Sequence, residues 1–399
     1  ASARPGKSTA RFFPYKPDAA CETPPDVGGE IRRRESSELA LVAVAPPASV
    51  LHSRLPPSLP PSLSRASAGR STGRPMEKAA SFLSSLLGGG EGPAGEPAAT
   101  VASILIYPIK SCRGVSVPQA PVTSTGFRWD RQWVVVNAKG RALTQRVEPK
   151  MALVETELPP AAFDEDWQPT PDSCLVIRAP GMDTLKVPLA AEHATLDDVS
   201  VWEWSGSAYD EGPEAAEWLS AYFGKPSRLV RFKEESEIRP TNPEYAQGYK
   251  ITFTDCFPFL IASQGSLDAL NELLKEPVPI NRFRPNILVD GCHPYAEDLW
   301  KTIKINKLTF DSVKLCDRCK VPTVNQENGM LGTEPTETML TFRSGEALRP
   351  SHKNKHKVYF GQNLVCKESV SAKGKGRIVK VGDPVYVLQT YPCSDEVPA

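Results

Sequence analysis

Thr302-Ile303-Lys304-Ile305-Asn306-Lys307-Leu308-Thr309-Phe310-Asp311-Ser312-Val313-Lys314-Leu315-Cys316-Asp317-Arg318-Cys319 is the stretch from which the fold class can be read. Its two runs, 302–305 and 308–315, are dense in Ile, Val, Thr and Phe and read as strands. The second run leads straight into a Cys-x-x-Cys. Outward from here the same signature recurs, at 257–262, 287–290 and 384–388 on one side and at 104–107, 132–137, 151–158, 174–178, 184–188 and 199–204 on the other. Pro108 stops the first of these. Asn137-Ala138-Lys139-Gly140 turns the second towards 141–145, and Pro180-Gly181 marks a hairpin. Only two stretches have helical spacing. One is 213–223, with Ala216, Trp218, Leu219 and Tyr222 on a face and Gly224 as its stop. The other starts at a capping Ser266 and carries Leu267, Leu270, Leu273 and Leu274. Many short strands with few helices predict a mainly β chain with some α, built as barrels or sandwiches. Residues 343–357, rich in Arg, Lys and His, read as a mobile loop.

The chain has 399 residues, enough for two domains with real cores. Its 47 Lys and Arg balance its 47 Asp and Glu, so charge gives no case for nucleic acid. No apolar run is long enough for a transmembrane helix. Nine cysteines, an odd number at irregular spacing, argue for a reducing intracellular compartment over a disulfide scaffold. Residues 1–98 hold 14 of the 39 prolines, among Ser, Ala, Gly and Arg. Such a segment buries too little apolar surface to offset its ordering entropy and is expected to be disordered. The first methionine is Met76. The segment before it reads either as lying upstream of the native start or as a targeting peptide, with four arginines and no acid over 45–75.

Cys316-Asp317-Arg318-Cys319 has several chemical readings. Structural zinc needs four ligands, and no second pair lies at a suitable spacing; His352 and His356 lack the helical setting. A thioredoxin-like pair would start a helix in a βαβ unit, which is not visible. Two buried thiols in a core are the plain alternative. A single thiolate on a soft, redox-active metal remains, with Arg318 beside Cys319 favouring the thiolate. Cations also cluster beside rigid turns: Lys110 and Ser111 in Tyr107-Pro108-Ile109-Lys110-Ser111-Cys112-Arg113-Gly114, Arg131 in Asp130-Arg131, and Arg282 and Arg284 in Asn281-Arg282-Phe283-Arg284-Pro285-Asn286. Arginine holds phosphate through a planar fork and lysine as a point charge.

These motifs occur in order, together with Asp255-x-x-Pro258-Phe259-Leu260, Phe360-Gly361-Gln362-Asn363 and Val381-Gly382-Asp383-Pro384-Val385. In that order they resemble the MOSC family, over about residues 100–390, in a plant-like form of its mitochondrial amidoxime-reducing branch. The resemblance implies an amino-terminal β-barrel domain over 99–225 and a MOSC β-barrel domain over 226–391. It implies molybdenum cofactor (molybdenum-molybdopterin) between them, with Cys319 as the metal ligand and Cys316 structural. By the same resemblance Lys110, Ser111, Arg131, Arg284 and Asn286 hold the pterin and its phosphate, and Asp255 is an acidic catalytic position near the metal. It also brings a mitochondrial location, with the cytosol as alternative, and a family-level association with pyridoxal phosphate. Phe257 stands where animal members have serine, and Asn325 replaces an aspartate. The function implied is reduction of N-hydroxylated or N-oxygenated small molecules, such as amidoximes to amidines. Electrons would come from a b-type cytochrome and its flavin reductase. The alternatives are a molybdenum-cofactor carrier, a sulfur-transfer protein with a persulfide on Cys319, and a β-sheet interaction module without catalysis.

Overall fold

Ile303 faces Phe310 and Ile305 faces Leu308 across an antiparallel pair, so the two runs that decide the fold class do form adjacent strands. All four side chains are fully buried or nearly so, which is what apolar cross-strand pairs supply to a sheet with one face on a core. The computed structural model describes residues 95–191, 193–371 and 376–399. The expected disorder over 1–98 falls almost wholly outside these residues, as does Met76.

Seven strands make a closed barrel: β1 (Ala99–Ile106), β2 (Phe259–Ser263), β3 (Ile287–Asp290), β4 (Trp300–Ile305), β5 (Leu308–Asp317), β6 (Tyr359–Cys366) and β7 (Pro384–Thr390). Their order is β3-β2-β6-β5-β4-β7-β1, and β1 returns to β3 to close the ring. Only β2 and β3 run parallel; the other neighbours are antiparallel. Ile104, Ile261, Ile287, Ile303, Phe310 and Leu364 belong to the buried core. Closure removes free sheet edges. It also sets β1, the first of these strands in the chain, between two strands that lie far along the sequence.

Between β1 and β2 the chain builds a second β region. Its main sheet has the order Trp133–Asn137, Ser227–Phe232, Trp204–Asp210, Ala194–Val201. A three-stranded sheet, Glu155–Glu157, Cys174–Arg178 and Leu185–Pro188, lies beside the helix Pro213–Phe223. That helix ends as the sequence indicates: Gly224 has φ 67° and its N–H bonds the Ser220 carbonyl.

Four expectations need correction. Residues 151–158 are not one strand. A 3-10 turn, Pro149–Leu153, precedes the short strand, because Pro149 fixes φ at the first helical position and has no N–H to give a sheet. Residues 199–204 contain a hairpin turn, with Val201 opposite Trp204 and Trp202 at φ 56°. No Gly or Asn announces that turn. The helix Gln264–Asn271 is capped by Ser263, whose side chain accepts from Ser266 N–H, and Leu273 faces solvent. Ser266 instead donates to Glu297 at 2.7 Å. Within 343–357, Arg343 is buried and paired with Asp298 at 2.5 Å, and Ser344 caps a short helix, Gly345–Leu348. The helix Thr336–Phe342 adds an element that no spacing in the sequence announces. Among the described residues no helix is long and apolar enough to cross a membrane.

Candidate cofactor site

Strand β1 ends at Ile106, and the Pro108 turn that follows brings three cations together. Tyr107 is the hub. Its ring lies 4.1 Å from the Arg131 guanidinium carbon and 4.2 Å from that of Arg284. Its hydroxyl donates to the Pro285 carbonyl at 3.1 Å, and its N–H donates to Asp130 Oδ1 at 2.9 Å. Arg131 returns to Asp130 through one nitrogen, at 2.7 and 2.6 Å, and reaches the Arg284 carbonyl at 3.3 Å. Lys110 Nζ donates to Asp255 Oδ1 at 2.5 Å and to the Phe253 carbonyl at 2.9 Å.

Three residues of this group hold left-handed backbone: Ser111 at φ 67°, Arg131 at 47° and Arg284 at 56°. Each such non-glycine residue costs about 1–3 kcal/mol, which persists only where surrounding contacts fix it. Here those contacts are Arg131 N–H to the Tyr107 carbonyl at 2.8 Å and the Ser111 carbonyl accepting from Gln145 Nε2 at 2.7 Å.

The charges do not balance locally. Lys110 has Asp255 and Arg131 has Asp130, but Arg284 has no carboxylate partner among the described residues. Arg284 is 9% exposed, and its Nη2 is buried without an acceptor. Burial pushes this guanidinium down to about 10, opposed by Tyr107. A buried N–H on a cation left without an acceptor is costly. An anionic oxygen, as on a phosphate, is the partner that geometry and charge both call for. The site therefore fits an anionic cofactor tail.

Asp255 begins the approach to β2. Arg239, itself buried, clamps that segment by donating to the carbonyls of Thr252 at 2.9 Å and Asp255 at 3.0 Å. Removal from water pushes the Asp255 carboxyl up, but the Lys110 ammonium and the Trp202 indole N–H win and hold it well below the usual carboxylate range. Its side chain is nevertheless 72% exposed, so this is a rim group with one oxygen anchored, not an interior one.

Cys316 is the penultimate residue of β5 and Cys319 follows the strand, half-buried, before a short 3-10 turn, Val321–Thr323. The charges felt by Cys319 include those of Asp255, Arg318 and Arg146. Burial pushes its thiol up, partly offset by the Val321 N–H. Arg318 lowers the Cys319 thiol as expected, while its hydrogen bonds go to Cys316 Sγ at 2.9 Å and to the Phe283 carbonyl at 2.6 Å. The loop after Cys319 is tied back to the Lys110–Ser111 turn by a reciprocal amide pair. Gln145 Nε2 donates to Gln326 Oε1 at 3.0 Å, and Gln326 Nε2 donates to Gln145 Oε1 at 2.9 Å.

Lys110, Arg131, Arg284 and Asp255 thus gather around one turn, and Cys319 feels the Asp255 charge. Ser111 contributes through its backbone. Asn286 stands apart, because its amide is spent on the barrel: Nδ2 donates to the Leu105 carbonyl at 3.2 Å and Oδ1 accepts from Leu260 N–H at 3.3 Å. Phe257 packs in a small apolar cluster with Ala246 and Val313. Asn325 shapes its own loop, accepting from Glu327 N–H at 2.9 Å. Sequence reading misses Trp202, Arg239, Gln145 and Gln326. The two glutamines sit in unremarkable polar stretches, and Trp202 is hidden inside an expected strand. Among the described residues no group of three or more His, Cys, Asp or Glu side chains could hold a metal ion by itself. His352 bonds the Asp395 carbonyl at 2.9 Å. Nothing supports a pyridoxal-phosphate association, and Lys110 is committed to Asp255.

Comparison with known proteins agrees with this architecture. The MOSC N-terminal beta barrel domain model matches residues 98–226, and the MOSC domain model matches residues 248–386. The chain is 35% identical to mitochondrial amidoxime reducing component 2 of Bos taurus, over 72% of this chain and 83% of that protein. It is 33% identical to mitochondrial amidoxime-reducing component 1 of Homo sapiens, with the same coverage. Among solved structures, the solution structure of a Bordetella bronchiseptica protein matches 30% of this chain and 91% of its own at 27% identity and a TM-score of 0.22. Two family models in the right order, and relatives matched over most of their own length, establish that this chain is a MOSC-domain protein of the amidoxime-reducing component family.

Proposed function

We propose that this chain is a molybdenum-cofactor-dependent reductase of N-oxygenated small molecules, converting amidoximes and hydroxylamines to amidines and amines. The observation that carries the reading is the unbalanced cationic group around Tyr107, where Arg284 Nη2 is buried without an acceptor. Arg284, Arg131 and Lys110 would hold the phosphate and pterin, and Cys319 would ligate the metal. When bound, the group supplies a two-electron couple that takes the oxygen from an N–O bond. The overall change consumes two electrons and two protons and releases one water per amidoxime.

The residues present suit that work. Lys110 is buried and paired with Asp255, which opposes the downward push of burial on its ammonium, so it can present a fixed positive charge to an anionic group. Asp255, ionised and exposed at the rim, can accept N–H groups of a substrate and orient it. A thiol pushed up by burial is a poor nucleophile for sulfur transfer, whereas metal coordination removes its proton outright. That contrast favours the metal-ligand reading over a persulfide carrier. The chain would take electrons from a separate donor, a b-type cytochrome with its flavin reductase. Mitochondrial relatives favour that compartment. The test is benzamidoxime reduction with a chemical or cytochrome donor. Stoichiometric benzamidine formation is expected, and no turnover by fully molybdenum-loaded chain would overturn the reading in favour of a carrier.

A further inference from the structure

Trp202 stands at the tip of the hairpin formed by Ala194–Val201 and Trp204–Asp210, 45% exposed and at φ 56°. A large aromatic in left-handed backbone at a solvent rim is an outlier that calls for a reason. Its surroundings give one. The indole Nε1 donates to Asp255 Oδ1 at 3.1 Å, which fixes the ring beside the exposed carboxylate. The guanidinium carbon of Arg146 lies 4.0 Å from the ring centroid, and Lys110 Nζ lies 5.6 Å from it. Arg146 is also among the charges felt by Cys319. The rim therefore carries an electron-rich surface, a carboxylate at its edge and a planar CN3 cation stacked on it.

We propose that Trp202 is a specificity-determining residue, the platform on which a planar, delocalised nitrogen group stacks with its N–H edge towards Asp255. Arg146 holds that place in this structure and is displaced when a substrate enters. A guanidinium and an amidine share planarity, delocalised charge and a fork of N–H donors, so a surface that accepts one accepts the other. This inference rests on the reading of the site as one for nitrogenous small molecules, but not on turnover.

Calorimetric titration of the full chain with benzamidine tests it. Benzamidine is expected to bind the wild type, about fivefold or more weaker to Trp202→Ala, and nearly unchanged to Trp202→Phe, which keeps a ring. Arg146→Ala is expected to tighten binding, because it removes the internal competitor. In the loaded chain, Trp202→Ala should raise KM for benzamidoxime and leave kcat in place. Equal affinity of Trp202→Ala and wild type, weaker binding by Arg146→Ala, or no binding by the wild type would each overturn the proposal. Arg146→Ala keeps the test decisive if Trp202→Ala fails to fold. Benzamidine binding with this pattern in a chain that never turns over would count against the reductase and leave the platform standing. Turnover with no Trp202 effect would do the reverse.

Discussion

The barrel carries two buried clusters of charge, and they are built differently. At the start of β4, Glu297 receives Ser263 N–H and the hydroxyls of Ser263 and Ser266, while Asp298 pairs with Arg343 at 2.5 Å. Its donors come from the helix cap and from the segment before β6, and only Asp298 Oδ1 among its carboxylate oxygens is buried without a donor. At the end of β1, three cations meet only two carboxylates, and Arg284 keeps a buried N–H without an acceptor. The first arrangement is what holding a fold together requires. The second is under-compensated by protein alone and becomes reasonable only when an anion arrives. Buried charge by itself does not mark a site; what sets the second cluster apart is an excess of buried cations next to a carboxylate, Asp255, that is open to solvent.

The contrast can be broken at several points. The largest effect is expected from Cys319→Ala, which should abolish N-reductive turnover at unchanged secondary structure, while Cys316→Ala retains metal-based turnover and lowers stability. Equal loss in both at equal folded fraction would refute the assignment of one sulfur to the metal. Next, Arg343→Met strands Asp298 in the interior and should cost about 3–5 kcal/mol in denaturant unfolding, with cofactor content per folded chain unchanged. Arg284→Ala should do the opposite. Apo-chain stability should hold or rise, because an unpaired buried charge is removed, while cofactor affinity falls by about 1.5–3 kcal/mol. Unchanged pterin retention by this variant would dissolve the distinction between the clusters.

The smallest effect is on pH dependence, and its sign differs between the two. Burial, then Asp298, push the Glu297 carboxyl up against its hydroxyl donors. The folded chain therefore binds a proton more readily than the unfolded one. Stability is lost as pH rises from the ordinary carboxylate range through the raised value, and Glu297→Gln should flatten that slope. Asp255 is held below its ordinary range by the Lys110 ammonium and the Trp202 indole N–H. Its contribution is present above the ordinary value and lost only as pH falls well below it. A wild-type slope unchanged by Glu297→Gln would show that Glu297 is not where the proton binds.

The sequence makes the β architecture legible because strands and caps are local. The run 302–315, the strand 287–290 and the Gly224 stop of the helix are set by residues within a few positions of one another. The cationic members of the site are legible too, as Lys110, Arg131 and Arg284 stand beside prolines or strand starts. What could not be read is where long side chains turn. Arg318 goes to Cys316 because the Phe283 carbonyl and the end of β5 lie on that side. Asn286 is taken by the barrel backbone. Trp202 reaches Asp255 only because a hairpin with no glycine signal aims it there, across 53 residues of chain. Such contacts depend on tertiary packing, which no local pattern encodes.

The most direct test is elemental and pterin analysis of the full chain purified from a host that makes the molybdenum cofactor, beside its Arg284→Ala variant. Near-equimolar molybdenum and pterin in the wild type, with marked loss of both in the variant at equal folded fraction, is the expected result. A folded wild-type chain free of both, or a variant that retains them fully, would contradict the claim that the Tyr107 cations exist to grip an anionic cofactor.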